Sequence, residues 1–491
     1  MNLRKSLLLL VVATTMTLAL NSCSGLHNAC TTNCGGGNSK LSVTISDTPP
    51  SNTSIVSFSM PIIGITLTPS SGTAVSIFSS NPSTDFELTR LQSDTSFLLA
   101  NQSIAAGTYT AVNVTVAAPS GVLINSTNTA FGTCTAGAVC YLTGAAATIT
   151  YTFPSSSPLV LTGNSDQWLN LDFNYNDALV SNNGISIDVT QTGVLTASTT
   201  VPAGVSSGNF ANIDDFTGSV TSISGSSITV QSSVRGSLTA AIASTTPVYD
   251  PQGQCTGGGS LACIGQGSIV SVQAVLSSSG VLNATSLDVI DASSAPADEV
   301  EGTVYGLCSN SGVGLILSDS TIFTASSPLT SASFGSPVCL TPGQAVGFSI
   351  DTGTLTGQSG VPIGNAGFTS ASDLLVGQTI RVKVTGATSA TSTTPITATA
   401  TDFILRFSRI TVTVNTASTL TFSVSALPAF MSSQFSVMPQ VQTYQNATLL
   451  EGLTSINSLQ NGQNVSISAL LLNPTTASTQ FPLQAAKVRL P

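Results

Sequence analysis

Charged side chains are scarce in this sequence. They make up 7% of its 491 residues, against about 25% in ordinary soluble proteins. Acidic residues outnumber basic ones by 21 to 11, which gives a formal net charge of −10. No stretch combines clustered lysine and arginine with aromatic residues, so the sequence lacks the electrostatic footprint of a nucleic-acid-binding protein. It also offers little to attract anionic lipid headgroups.

Histidine is almost absent as well. The only one, His27, lies close to Cys30 and Cys34. These three could be zinc ligands, but a fourth ligand is missing and the compartment favours oxidation, so a tether with one small disulfide or two loosely used thiols is the stronger interpretation. Without histidine in the rest of the chain, no Ser-His-Asp or Cys-His arrangement can form there. No glycine-rich loop carries the lysine of a phosphate cradle, so we expect no enzyme and no cofactor.

Long apolar runs are missing after the N-terminus. The run Leu7–Leu20 follows two basic residues, which is the pattern of a secretory signal, and it is shorter than the roughly 20 residues of a membrane span. It ends in the letters LNSC, which look like a bacterial lipobox. We therefore predict a signal peptide at 1–22 and lipidation of Cys23. The alternative is an ordinary signal peptide, with Cys23 in a disulfide.

The cysteines number nine, and lipidation of Cys23 leaves eight in local pairs. Spacing does not fix the connectivity, but sequential pairing needs the least rearrangement and favours three or four disulfides among Cys30–Cys34, Cys134–Cys140, Cys255–Cys263 and Cys308–Cys339. Such bonds persist outside the cytosol. We expect a protein held in the cell envelope by its lipid, in the periplasm or at the surface. Ser24 after Cys23 favours the outer membrane over the inner one.

Helical periodicity is also missing, and strict alternation of apolar and polar residues takes its place. Leu41, Val43 and Ile45 alternate in the first such stretch, and clusters of Gly, Ser, Asn and Pro separate it from the next ones. Alternation is the period of a half-buried strand, and the abundant Val, Ile and Thr favour strands. The sequence therefore predicts an all-β protein.

Composition and an internal repeat divide the chain. The repeat G-x-x-[VI]-x-[VIF] begins at Gly267, Gly343, Gly377 and Gly462, where glycine permits a tight turn into a strand. Repeated sets of short strands predict two or three small closed barrels of the OB type, with sandwiches as the alternative. The predicted segments are a tether at 23–40, an Ig- or transthyretin-like β-sandwich at 41–200, a linker at 201–211, and modules at 212–292, 293–405 and 406–491.

Two family resemblances support this division. The letters SDTPP, AAGTY and LNLDF, which begin at Ser46, Ala105 and Leu169, resemble a bacterial lipoprotein domain of unknown function with the pattern T/S-D-x-P, P-A-G-x-Y and L-x-L-D-F. Ala105 replaces the usual proline. The later repeats resemble a second family of unknown function, made of small β-barrel modules with a G-x-x-V-x-V strand. The resemblances imply an envelope lipoprotein of a Gram-negative-type bacterium and imply no activity.

One strand carries the candidate ligand face. Trp168, the only tryptophan, alternates with Asn170 and Asp172, which places the three on one face of the strand. Such a face could bind a sugar ring. The alternative is that Trp168 fills the sandwich core while its indole N–H meets a carbonyl group.

Carboxylates provide two weaker candidates. A calcium loop is suggested by alternating oxygen ligands at Asp172, Asn174, Asn176 and Asp177. The glycine and glutamate of an EF-hand are missing there, so a surface turn is the stronger interpretation and we predict no metal site. Paired carboxylates hydrolyse glycosides, and the first domain offers seven: Asp47, Asp85, Glu87, Asp94, Asp166, Asp172 and Asp177. Nothing pairs them across a predicted cleft, and we interpret Asp47 and Asp166 as turn caps and Asp172 as the end of a strand.

Taken together, these patterns predict a non-enzymatic, lipid-anchored envelope protein that serves in binding, adhesion or structural spacing. Its partners would be the membrane, through Cys23, and an envelope polysaccharide or protein. The alternative is a carbohydrate-binding module or an accessory domain of polysaccharide-active machinery.

Overall fold

A computed structural model describes residues 37–50, 54–126, 130, 133–181, 185–255, 260–294, 296–308, 312–362, 364–390, 395–477, 479 and 481–490. The predicted signal peptide, Cys23, His27, Cys30 and Cys34 lie outside these residues. Strands and a few single helical turns make up the secondary structure, which confirms the all-β class. Within the described ranges, no helix is long and apolar enough to cross a membrane.

The N-terminal domain contains strands β1 to β13 and one helical turn, α1. Their bounds are β1 Asn38–Asp47, β2 Ile55–Pro69, β3 Val75–Glu87, α1 Leu88–Leu91, β4 Ser96–Ala105, β5 Gly107–Val116, β6 Ser120–Ile124, β7 Val139–Thr143, β8 Ala147–Thr152, β9 Leu159–Leu161, β10 Asp166–Phe173, β11 Leu179–Ser181, β12 Ile185–Ile187 and β13 Leu195–Ser198. Strand β1 begins inside the segment predicted as a tether.

Two sheets pack together in this domain. One has the order β13-β10-β1-β4, and the other has the order β7-β6-β2-β5-β8, with β3 paired to β2 and β9 to β5. Strands β11 and β12 form a separate ribbon. The predicted alternation sends Leu41, Val43 and Ile45 into a shared apolar core. Burial of that core from both sheets stabilises the sandwich, because apolar surface leaves water on both sides.

The other face of the four-stranded sheet is polar and yet buried. Ser42, Thr44 and Ser46 of β1 are at most 1% exposed. The Thr44 hydroxyl donates to the Asn170 side-chain oxygen at 2.9 Å, and the Asn170 amide donates to Ser46 Oγ at 2.8 Å. Buried polar groups need such partners. The face is therefore a hydrogen-bonded contact surface beneath the rest of the chain.

Strands β14 to β30 form the remainder of the described chain. Their bounds are β14 Asn209–Ile223, β15 Ser227–Gln231, β16 Ser237–Ala241, β17 Val248–Tyr249, β18 Ile269–Ser277, β19 Leu282–Asp291, β20 Asp298–Leu307, β21 Val313–Thr321, β22 Pro337–Ile350, β23 Thr379–Thr388, β24 Ile396–Arg406, β25 Ser408–Ala417, β26 Thr421–Ala426, β27 Gln440–Gln442, β28 Leu449–Glu451, β29 Asn464–Leu471 and β30 Leu483–Arg489. One helical turn, α2 (Ala429–Ser432), lies between β26 and β27.

These strands close into three barrels of one topology. Barrel 1 has the cyclic order β14-β15-β16-β19-β18, barrel 2 has β20-β21-β22-β24-β23, and barrel 3 has β25-β26-β27-β30-β29. In each barrel one pair of neighbours is parallel, namely β16 with β19, β22 with β24, and β27 with β30. These are the third and fifth barrel strands in chain order, and the other neighbours are antiparallel. This is a five-stranded Greek-key barrel of the OB type, as the repeat predicted.

The repeated glycine marks the same turn in each barrel. It precedes the fourth strand at Gly267, Gly377 and Gly462, with φ of +94°, +90° and +80°. Each of these N–H groups donates at 2.8 Å to the carbonyl of a first-strand valine, namely Val220, Val304 and Val414 respectively. A side chain at such φ values is strained, so glycine is favoured. The fourth predicted copy is wrong, because Gly343 lies inside β22 rather than in this turn.

The described chain contains three disulfide bonds, Cys134–Cys140, Cys255–Cys263 and Cys308–Cys339. They are the sequential pairs. The first lies in the N-terminal domain, the second in barrel 1, and the third connects the end of β20 to β22 in barrel 2.

Candidate functional site at the four-domain junction

Basic side chains are concentrated inside the molecule. Eight basic residues follow Lys40, and all eight form ion pairs with side chains at most 12% exposed. They are Arg90, Arg235, Arg381, Lys383, Arg406, Arg409, Lys487 and Arg489. A protein with so few charges would ordinarily leave them in water. Seven of them pair with a carboxylate of another domain, and Arg381 pairs within barrel 2, so the few basic residues of the sequence lie in a charged interior.

Asp215 is the centre of this interior. Its carboxylate forms ion pairs with Arg90 of the N-terminal domain, Arg406 of barrel 2 and Arg409 of barrel 3. Ser271 and Thr217 donate their hydroxyls to it at 2.5 and 3.0 Å. One carboxylate of barrel 1 therefore connects all four domains.

A local feature of β14 presents this carboxylate. The pairing of β14 with β18 shifts register between Ile213 and Phe216, and Asp215 within that bulge has a φ of +44°. Bulges commonly re-aim a side chain next to a functional site. Burial alone would raise the pKa of Asp215, but Arg409, Arg90 and Arg406 outweigh burial and hold that pKa well below its ordinary value.

Further ion pairs connect the three arginines around Asp215 to carboxylates of barrel 2 and of the N-terminal domain. Arg90 also binds Glu301 of barrel 2 at 2.8 Å, and Glu301 is completely buried. Arg406 also binds Asp351. Arg409 also binds Asp94 of the N-terminal domain, with Nε 2.8 Å from Oδ2. Each arginine around Asp215 therefore has a second carboxylate.

Lys487 of barrel 3 forms a second centre. Its Nζ lies 2.8 Å from Asp214 of barrel 1 and 3.0 Å from Glu451 of its own barrel. Burial raises the pKa of Asp214 to about 6 although Lys487 opposes the shift. We call the set Arg90, Asp94, Asp214, Asp215, Glu301, Asp351, Arg406, Arg409, Glu451 and Lys487 the charge cluster.

The internal repeat places a charged residue at one equivalent position of each barrel, and two of these three residues belong to the charge cluster. Asp215, Glu299 and Arg409 each lie five residues before the first-strand valine that receives the glycine N–H bond. The equivalent position thus carries an acidic residue in barrels 1 and 2 and a basic residue in barrel 3. Sequence reasoning missed this signal because charges were counted over the whole chain rather than aligned on the repeat.

A cleft of about 500 Å³ opens beside the charge cluster. All four domains line it: Asp94 comes from the N-terminal domain, Arg406 from barrel 2, and Arg409 and Lys487 from barrel 3. Barrel 1 adds Asp214, Asp215, Ser286, Asp288 and Tyr249. Clefts between domains are preferred places for ligand sites. We call this the interdomain cleft.

Asp288 differs from the other charged residues of the interdomain cleft. It is 3% exposed, and its Oδ1 has no hydrogen-bond partner within the described structure. The neighbouring Ser286 Oγ is buried without a partner as well. Burial raises the pKa of Asp288 to about 6, and Arg406 offsets part of that effect. An unpaired buried carboxylate is costly unless something else satisfies it.

The predicted sugar face is covered. Trp168, Asn170 and Asp172 share a face of β10, as the alternation indicated, but Trp168 is 4% exposed and belongs to the apolar core of barrel 1. Its ring stacks on Phe210 with centroids 6.2 Å apart, and its indole N–H donates to Thr44 Oγ1 at 2.9 Å. The ring therefore has no open face for a sugar, and the face is a domain contact.

The calcium candidates do not converge on one point. Asp172 accepts hydroxyl hydrogen bonds from Ser46 and Thr48 at 2.5 Å, whereas the Asn174 amide donates to Asp177 Oδ2 at 2.9 Å. The Asn176 N–H donates to Asn174 Oδ1 at 3.2 Å. These bonds build a turn, and among the described residues no group of three His, Cys, Asp or Glu side chains is arranged to hold a metal ion.

Several of the seven candidate carboxylates have hydrogen-bond partners within the N-terminal domain, although Asp47 Oδ2 and Asp166 Oδ1 are buried without a partner in the described structure. Asp47 accepts the Tyr175 N–H at 3.2 Å, and Glu87 accepts the Phe58 N–H at 2.7 Å. Burial raises the pKa of both groups. Of the seven, Asp94 lines the interdomain cleft.

Comparison with known proteins identifies one domain. A family model described as a domain of unknown function (DUF4382) matches residues 38–188, and no curated protein matches the chain. A solved structure titled "drosophila Unr CSD456" aligns at 11% identity over 56% of this chain and 95% of that chain, with a TM-score of 0.13. At that TM-score the likeness carries no argument.

Proposed function

We propose that this protein is a lipid-anchored, non-enzymatic binding protein of the bacterial cell envelope, with its ligand in the interdomain cleft. The observation that carries the proposal is that four domains line one cleft whose walls are joined by buried ion pairs. A site that is already formed loses little conformational entropy when a ligand binds.

The arrangement of the domains favours binding over structural spacing. A spacer would place its modules in a row, each in contact with its neighbours. In this chain Arg90 pairs with barrels 1 and 2, and Asp94 pairs with barrel 3. The linker joins them too, since the Gly452 N–H donates to the Ala203 carbonyl at 2.8 Å. The N-terminal domain therefore contacts every barrel.

Three observations support the location. The disulfides are typical of proteins outside the cytosol. The lipobox-like letters end at Cys23, and the N-terminal domain resembles lipoprotein domains. The lipid would hold the folded domains at the membrane. Without Arg4 and Lys5 of the signal peptide, the formal net charge of −10 becomes about −12, which would keep the domains from collapsing onto anionic headgroups.

Mass spectrometry of the full chain, extracted from its own membranes in mild detergent, tests the proposal. Under denaturing conditions we expect a mature chain that begins at Cys23 with two or three acyl groups. Under native conditions we expect a stoichiometric small-molecule adduct, which Thr354→Trp at the exposed rim of the cleft abolishes. Thr416→Trp, on an exposed part of barrel 3, is the matched control.

The results separate the parts of the proposal. An unmodified chain that starts elsewhere would remove the anchor. A wild-type protein without any adduct, or an adduct that both tryptophan variants retain, would remove the binding role of the cleft.

A further inference from the structure

We propose that the interdomain cleft binds a small organic cation whose ammonium or guanidinium group pairs with Asp288. The inference rests on the proposed function and specifies its ligand. It follows from the pairing of the charges in the cleft walls: the basic groups are already paired with carboxylates, whereas Asp288 is not paired with a basic group.

The basic groups of the cleft are already ion-paired with carboxylates, although Arg406 Nε, which lies 3.7 Å from Glu301, makes no hydrogen bond. Arg409 binds Asp94 and Asp215, and its Nη1 also donates to the Phe407 carbonyl at 2.6 Å. Arg406 binds Asp215 and Asp351. An anionic ligand would have to displace one of these buried carboxylates, which would leave that carboxylate unpaired at high cost.

Lys487 offers no more room for an anion. Its ammonium lies between Asp214 and Glu451 at 2.8 and 3.0 Å. Each of the three basic groups of the cleft thus pairs with at least two carboxylates, so the positive charge of the walls is balanced within the protein.

Asp288 is the acid left over. It forms no ion pair within 4.0 Å among the described residues, and its Oδ1 is buried without a hydrogen bond. Ser286, two residues earlier on β19 and therefore on the same face, has a buried hydroxyl without a partner. A ligand that donates hydrogen bonds and carries positive charge would satisfy both groups, and a charge-assisted pair is the stronger kind of hydrogen bond.

An aromatic ring stands beside this acid. Tyr249 of β17 pairs with Asp288 of β19 in a parallel register, so the two side chains project from the same face of adjoining strands. Both line the cleft. Burial raises the pKa of the Tyr249 phenol, and the charge of Asp288 adds to that shift. A carboxylate beside an aromatic ring is a suitable setting for a cation, because the ring face attracts positive charge.

The charges around Asp288 shape the pH dependence of binding. Arg406 and Asp215 act on it directly, Tyr249 adjoins it, and Asp94, Asp214, Arg409 and Lys487 line the same cleft. A cation pairs with ionised Asp288, so we expect its affinity to weaken as the pH falls below about 6, the pKa of this group.

Titration calorimetry on the full chain in detergent tests the inference. The probes are putrescine and spermidine, with sodium phosphate, glucose and calcium chloride as comparisons. We expect saturable binding of at least one amine and a loss of affinity of about tenfold to hundredfold in Asp288→Asn, the range for a lost hydrogen bond to a charged group. Asp402→Asn, the same change outside the cleft, should bind as the wild type does.

A second pair of variants keeps the test informative if Asp288→Asn misfolds. Tyr249→Phe retains the ring and should retain binding, whereas Tyr249→Leu should weaken it. The inference is overturned if neither amine binds when its concentration is about 10 mM, which is ten times the Kd of a weak site of ~1 mM. Equal affinity in wild type and Asp288→Asn, or binding of phosphate, glucose or calcium in place of the amines, also overturns it. A native adduct that is anionic or neutral would end this inference and leave the proposed function standing.

Discussion

Replacing Asp215 with asparagine tests whether the charge cluster joins the four domains. The change keeps the shape of the side chain and removes its charge. Arg90, Arg406 and Arg409 each lose one carboxylate and keep at least one other, which is Glu301, Asp351 or Asp94 respectively. The arginines stay buried, so their desolvation is no longer fully compensated.

The expected cost is large. Removal of one partner from a buried ion pair typically destabilises a protein by about 3–5 kcal/mol. Since all three arginines retain a partner, we expect about 4 kcal/mol for Asp215→Asn. The folded-state pKa of Asp215 is depressed, so its stabilising effect is fully present above its unfolded pKa of about 4. That effect disappears as the pH falls through the depressed value. The loss should therefore be similar at pH 7 and pH 5.

Urea unfolding of the full chain at both pH values measures this loss. The emission of Trp168, which is buried between the N-terminal domain and barrel 1, reports on that contact, and calorimetry reports on all four domains. We also expect Asp215→Asn to split the calorimetric transition, because domains that lose their shared centre unfold separately. Asp402→Asn is the control, as Asp402 belongs to none of the ion pairs of the described structure. A loss below about 1 kcal/mol, the usual worth of an exposed pair, would refute the reasoning, and so would an equal loss in the control.

Three further predictions concern single contacts. Asp288→Asn should stabilise the unliganded protein at pH 7 by up to about 3 kcal/mol, because the pKa of this carboxyl is raised from 3.8 to about 6 and each unit corresponds to about 1.36 kcal/mol. A carboxyl whose pKa is raised by folding costs stability only at pH values above its pKa in the unfolded chain. The gain in unfolding free energy should therefore shrink to below about 1 kcal/mol at pH 4. An equal gain at both pH values would contradict the raised pKa of Asp288. Replacing Cys308 and Cys339 with serine opens a loop with a sequence separation of 31 and should cost about 3–4 kcal/mol in urea unfolding; no loss would argue against this bond in the native protein. Trp168→Phe removes the indole donor to Thr44 and should cost about 1 kcal/mol without changing retention on a polysaccharide column, whereas lost retention would restore the sugar-binding alternative.

Several features of the fold could be predicted from local patterns. Alternation at Leu41, Val43 and Ile45 predicted buried strands, and the same residues lie in the sandwich core. The glycine repeat predicted small barrels because a residue with positive φ is required wherever this turn recurs. Gly343 was misassigned because its letters match the pattern while its position, in the third strand of barrel 2, demands no such turn.

The candidate site was beyond those patterns. The face of Trp168 was predicted, but alternation does not tell what covers a face, and here barrel 1 covers it. The charge cluster was missed because its members are far apart in sequence: Asp215 and Arg409 belong to different barrels and meet only when all four domains assemble. The repeat does align the position of Asp215 with those of Glu299 and Arg409, which is the signal that could have revealed a shared charged surface.

The sequence by itself determined the strand class, the repeated turn and the sequential order of the cysteines that pair. These depend on neighbours a few residues away, through side-chain period and backbone φ. The tertiary structure alone decided that the few basic residues lie inside, that the Trp168 face is a domain contact, and that Asp288 is left unpaired beside a cleft. Burial and ion pairing depend on which surfaces meet, and in this protein those surfaces come from four separate domains.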